Sequence, residues 1–153
     1  MRTSFILAFS MATFCGGAAF AQSVNASYPA TVVSAMQDLG YSTNLTEDSY
    51  GDPIIYADIP GKSYQVLFYG CSENIDCKDL QLRAIYENQT NTSSSIPATY
   101  NADRMVGKIY VSAEYGTTLE HTIIGVDGLS RSSFNRTIEK WTAAIDFYNN
   151  MSN

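Results

Sequence analysis

The sequence is poor in the residues on which most site chemistry is built. Histidine occurs once, at position 121, and cysteine three times. A structural zinc draws on about four such ligands, so a metal centre finds little material here. No G-x-S-x-G, Walker loop, dinucleotide fingerprint or H-E-x-x-H is present. Those gaps remove the motif-defined hydrolases, nucleotide binders and zinc proteases. Nine Lys and Arg face fifteen Asp and Glu, and the cations are scattered singly. That balance counts against nucleic acid and anionic lipid as partners. After the first twenty or so residues no apolar run approaches the roughly 20 residues of a membrane span. No internal repeat breaks the chain into units.

What is there begins with a leader. "MRTSFILAFSMATFCGGAAFAQS" has Arg2, an apolar stretch from Phe5 to Cys15, and then Ala19-Phe20-Ala21. Small residues at the first and third places before Gln22 are the layout of a secretory signal peptide, cleaved after Ala21. The expectation is a signal over 1–21 and a single domain over 22–153, in the periplasm or secreted. The remaining 132 residues, with eight cations against fifteen carboxylates, suit one domain with a real core. Cys15 leaves with the leader. Cys71 and Cys77 then form an even pair in an oxidising compartment, which predicts a disulfide. Their spacing is not the C-x-x-C of a redox catalyst.

The patterning predicts an α+β fold. "ASYPATVVSAMQDLGY" reads as a helix, with Pro29 in its first turn and Gly40 ending it. "STNLTED" reads as a short edge strand. "PIIYADI", "YQVLFYG" and "DLQLRAIYE" read as strands, with Pro53 tolerated at a first position. "NQTNTSSSIP" reads as a connector and "PATYNADRMV" as a short helix. "GKIYVSAEYGTTLEHTIIGV" is a second hairpin turning at Tyr115-Gly116-Thr117, and "GVDGLS" is a turn into the last helix. That helix has Ser130 as N-cap and an apolar stripe of Phe134, Ile138, Trp141, Ile145 and Tyr148.

Pairing Cys71 with Cys77 across the hairpin predicts its register. Phe68 then faces Leu80, Val66 faces Leu82, and Tyr64 faces Ala84, all on one apolar face. The bridge, with Tyr69, is expected on the opposite face unless Gly70 introduces a bulge. Closing so short a loop contributes about 2.4 kcal/mol in the chain-entropy model.

The longest quoted stretches carry a resemblance. "GDPIIYADIPGKSYQVLFYGCSENIDCKDLQLRA", "YNADRMVGKIYV" and "FNRTIEKWTAAIDFY" are similar to the YbjN family of bacterial sensory transduction regulators, and most similar to its secreted alphaproteobacterial branch with paired cysteines. The resemblance implies a fold like that of type III secretion chaperones, in the order α-(β)-β-β-β-α-β-β-α. It implies a non-enzymatic regulator or chaperone-like binding protein, with an unidentified protein partner or a homodimer. It brings no catalytic, cofactor or metal residues. Tyr100-Asn101 stands where the family tends to show Trp-Asn. Tyr69, Tyr100, Asn101 and Arg104 are the candidate interaction surface. The competing readings are a small hydrolase using His121 with a carboxylate, and a structural envelope protein.

Overall fold

The computed structural model describes residues 23–86 and 95–152. The signal segment 1–21 and most of the connector expected over 88–97 lie outside them.

The first helix, α1 (Pro29–Asp38), starts at a proline and ends at Gly40. Gly40 has φ +88°, its N–H donates to Gln37 O, and the N–H of Tyr41 reaches back to Met36 O. That paired return needs a left-handed residue, which glycine supplies without strain. The turn delivers the chain into β2 (Ser42–Glu47), numbering as β1 the two-residue strand Val24–Asn25 before α1. Then follow β3 (Pro53–Ile59), β4 (Lys62–Tyr69), β5 (Asp79–Tyr86), α2 (Ser95–Asp103), β6 (Lys108–Ser112), β7 (Gly116–Ile123), β8 (Asp127–Leu129) and α3 (Arg131–Ser152). No helix among the described residues is long and apolar enough to cross a membrane.

Six strands form one antiparallel sheet in the order β2-β3-β4-β5-β7-β6. The predicted hairpin register holds: Phe68 pairs with Leu80 and Val66 with Leu82. Tyr64, Val66, Phe68, Leu80, Leu82 and Ala84 are all buried. They share one core with Val32 and Met36 of α1, Tyr100 of α2 and the whole predicted stripe of α3. The helices therefore pack on one face of the sheet only. Ser130 caps α3 as expected, its Oγ accepting from the N–H of Ser133 at 3.1 Å.

Three local expectations are corrected. The disulfide is formed between Cys71 and Cys77, but it does not sit on the outer face. Cys77 is buried in the core and Cys71 packs against it. Strand alternation ends at the Tyr69–Asp79 pair: Gly70 turns with φ +65°, and the N–H of Lys78 returns to Tyr69 O at 2.9 Å. The second hairpin turns at Ala113–Tyr115, not around Gly116. Ser112 Oγ accepts from the N–H groups of both Glu114 and Tyr115, and Gly116 pairs with Ser112. "GVDGLS" is not only a turn, because Asp127–Leu129 pairs with Val24–Asn25 as a separate two-stranded ribbon.

That ribbon anchors the disulfide loop. Val126 N–H donates to Lys78 O, Ala26 N–H to Val126 O, and Ser27 Oγ to Cys77 O. At the other end of the loop, Ser72 and Ile75 exchange two backbone bonds around Glu73 and Asn74, both at positive φ. This is the mirror-image turn that hairpins prefer. Asn74 Nδ2 also donates to Tyr50 O at 2.7 Å. Gly51 has φ +89°, which favours glycine, and a Cβ there would come within 2.6 Å of Asn74 Nδ2 and push that side chain away. The bridge is expected to be closed in protein isolated without reductant: alkylation followed by intact-mass measurement should add nothing, and two modified thiols would contradict it.

Candidate functional site

With the helices on one side, the other face of the sheet is open. One row crosses all six strands on it: Asn44, Tyr56, Gln65, Arg83, Glu120 and Lys108 are successive cross-strand partners. The neighbouring row brings Tyr110 beside Thr118 and Thr118 beside Ile85. Tyr69 pairs with Asp79 at the end of the β4–β5 ladder. Tyr69 is 41% exposed and Tyr56 43%, so both rings offer apolar area and a hydroxyl to a partner.

The centre of the face is an ordered polar network. Arg83 Nε donates to Glu120 Oε1 at 2.9 Å, and Tyr110 hydroxyl donates to the same oxygen at 2.8 Å. Arg83 Nη2 donates to Gln81 Oε1 at 2.9 Å and to the Tyr69 hydroxyl at 3.3 Å. The guanidinium also lies 5.9 Å from the ring centre of Tyr115, which folds over from the hairpin turn. Glu120 is buried, so these donors take the place of water around its carboxylate. Burial and the bond to Glu120 push the Tyr110 hydroxyl up to about 12. Arg83 is thereby held flat on the sheet, next to a hollow of about 170 Å³ lined by Tyr56, Asp58, Ser63, Gln65 and Ile85.

The four predicted interaction residues do not form one surface. Tyr69 is on the open face. Tyr100 is fully buried on the helix side, its hydroxyl donating to Val106 O at 2.8 Å. It is a core residue, because α2 turns its one aromatic side chain into the gap between β6 and α3. Asn101 is occupied by backbone: Nδ2 donates to Ile109 O at 2.9 Å and Oδ1 accepts from Ile109 N–H at 2.8 Å. The amide acts as one more strand residue and covers the β6 edge at Ile109. Arg104 is exposed and lies 3.4 Å from the ring centre of Phe147 on α3. Sequence reading missed Arg83 and Glu120 as partners in a site. Each stands at an outward position of an alternating strand, but nothing in one strand says which polar residues will meet across three.

His121 is on the helix-side row, opposite Leu82. Its Nδ1 accepts from the N–H of Gly107 at 3.3 Å, as expected for a structural histidine. The carboxylate next to it in sequence, Glu120, points to the other face and is taken by Arg83. Burial holds the imidazole below its ordinary value. The unfolded chain therefore binds a proton that the folded chain still lacks, in the window between the lowered value and about 6.5. Stability attributable to this group is full above that window and falls as pH drops through it. Chemical denaturation across that range should show a slope that His121→Asn removes. An identical pH profile in the variant would contradict this.

Comparisons place these features. No curated protein matches the sequence. The crystal structure of YbjN from E. coli, there called "a putative transcription regulator", superposes with a TM-score of 0.56 over 82% of this chain and 91% of that one, at 11% identity. At such identity the likeness speaks for the fold alone. The sequence profile of the YbjN family, "Putative bacterial sensory transduction regulator", matches residues 28–151. That span runs from the start of α1 to the end of α3, and on it the chain belongs to the YbjN family.

Proposed function

We propose that this protein is a non-enzymatic regulatory module that works by binding another protein, after export to the periplasm or beyond and removal of residues 1–21. The observation that carries this reading is the open sheet face, where Tyr56 and Tyr69 stand half exposed around the ordered Arg83–Glu120 network. Tyrosine and arginine are the side chains that binding hot spots favour, because they give large contact area from few rotatable bonds. A network fixed before binding loses little entropy on contact. Membership of a family of regulators supports the same reading, and the paired cysteines and the leader fit its secreted branch. The secretion-chaperone likeness enters as a mode of action, capture of a polypeptide, and not as a role in secretion.

The test is site-directed photocrosslinking in the native host. A photoreactive phenylalanine analogue at Tyr69 should trap a discrete protein adduct, while the same group at Tyr28, exposed beside α1, should not. Adducts of equal yield at both positions, or at neither, would refute the open face as the contact. Terminal sequencing of the same purified protein should begin at Gln22.

A further inference from the structure

The two edges of the sheet are treated differently. The β6 edge is covered at Ile109, since Asn101 takes both of its backbone groups. The β2 edge is not. Ser42–Glu47 pairs with β3 alone, without a bulge, over six residues. Among the described residues no other group bonds its backbone. Alternate N–H and C=O groups of an antiparallel edge strand point away from the ladder and can accept a further strand. No proline or lysine blunts this one, and its own Leu45 is 44% exposed.

Charge says what kind of strand would fit. Between Arg2 and Lys62 the sequence holds no Lys, Arg or His, but it holds Asp38, Glu47, Asp48, Asp52 and Asp58. This stretch builds α1, β2 and β3, the whole margin of the sheet. Arg131 neutralises Asp38 at 3.2 Å. The other four carboxylates have no cation among the described residues, and Glu47 lies on β2 itself.

We propose that β2 is a docking edge for an extended, Lys- or Arg-bearing segment of another protein, which joins the sheet as a seventh strand. Backbone bonds supply the attachment and the acidic margin selects the charge. A second copy of this chain fits less well, because pairing β2 with its own copy would set two acidic margins without cations against each other. The inference rests on the reading of this chain as a protein-binding module. Its readout is confined to β2, so it can fail while the Tyr69 surface stands, and the reverse.

The probe is a capped eight-residue peptide of alternating Val and Thr with Lys at its ends and centre. The comparison peptide carries Glu for every Lys. Each is titrated into the ¹⁵N-labelled protein at low salt. Amide shifts should concentrate on Ser42–Glu47, with the lysine peptide binding about tenfold more tightly, the effect of two weak charge contacts. Glu47→Lys should bring the two affinities together. Adjacent positions on a strand direct their N–H groups oppositely, so of Thr43→Pro and Asn44→Pro one removes an outward donor while keeping the ladder. That variant should stay folded and lose the peptide. Equal affinity for both peptides, no saturation, or shifts centred elsewhere would overturn the proposal. So would a dimer in sedimentation that the same proline variant abolishes, since a second copy would then be the occupant.

Discussion

Trp141→Ala is expected to cost about 3–5 kcal/mol of stability, the range for removing a large buried aromatic. Trp141 is fully buried at the middle of α3. Its ring meets Tyr64 of β4 edge-on at 5.7 Å, and Tyr64 meets Tyr41 in the same way at 5.6 Å. Through Tyr64, Trp141 thus links the closing helix to the central hairpin and the entry to β2. Truncation leaves a cavity under the helix that the sheet cannot collapse to fill, because β4 is held on both sides by its neighbours. The indole Nε1 finds no acceptor among the described residues. Trp141→Phe, which removes that unpaired donor with part of the volume, should therefore cost clearly less than Trp141→Ala. Urea denaturation measures both. A midpoint for the alanine variant near that of the parent would show that α3 is not anchored there.

Glu120→Ala is expected to cost about 2–4 kcal/mol, from a different source. The carboxylate has only 7% of its side-chain surface exposed and Arg83 has 18%. Neither partner of such a pair can be removed without leaving the other badly solvated. Loss of the carboxylate strands the Arg83 guanidinium and takes the acceptor from the Tyr110 hydroxyl. Glu120→Gln keeps an acceptor oxygen and should recover part of the loss. The double variant Arg83→Met with Glu120→Leu should be closer to the parent than Glu120→Ala, because it leaves no charge unpaired. Stabilities in the opposite order would mean that the network is solvated and contributes little.

These two sites differ in how legible they were. Trp141 could be placed from sequence because α3 repeats its apolar residues, Phe134 to Tyr148, at helical spacing over about four turns. The β4–β5 register could be placed because the paired cysteines and alternating residues agree on it. Where alternation stops, so does this reasoning: at Gly70 the chain turns, and Cys77 enters the core instead of facing outward. The ribbon of Val24–Asn25 with Asp127–Leu129 is too short to show any period. Tyr100 and Asn101 read as surface residues in a weakly amphipathic segment. Their roles depend on contacts with β6 and α3, which a window of sequence does not contain. Glu120 followed the same rule. It reads as one outward strand residue, and only the sheet order brings it to Arg83.

The electrostatic asymmetry was visible in the sequence but had no meaning before the fold. A stretch without cations is unremarkable in an acidic chain. Its consequence appears only when α1, β2 and β3 prove to be contiguous at one side of the sheet. The same stretch then supplies both the unpaired backbone and the charge around it.

The central claim is that this family member acts by binding through its sheet and not by catalysis. The most direct measurement compares two single variants, Tyr69→Ala and His121→Ala, in capture of the crosslinked partner and in the host phenotype of a deletion strain. Circular dichroism first establishes that both are folded. Tyr69→Ala removes a half-exposed ring from the open face, whereas His121→Ala removes one acceptor on the helix side. The account predicts that Tyr69→Ala loses the partner and the phenotype while His121→Ala keeps both. Loss of activity in folded His121→Ala, with normal behaviour of Tyr69→Ala, would contradict it and point to an enzyme.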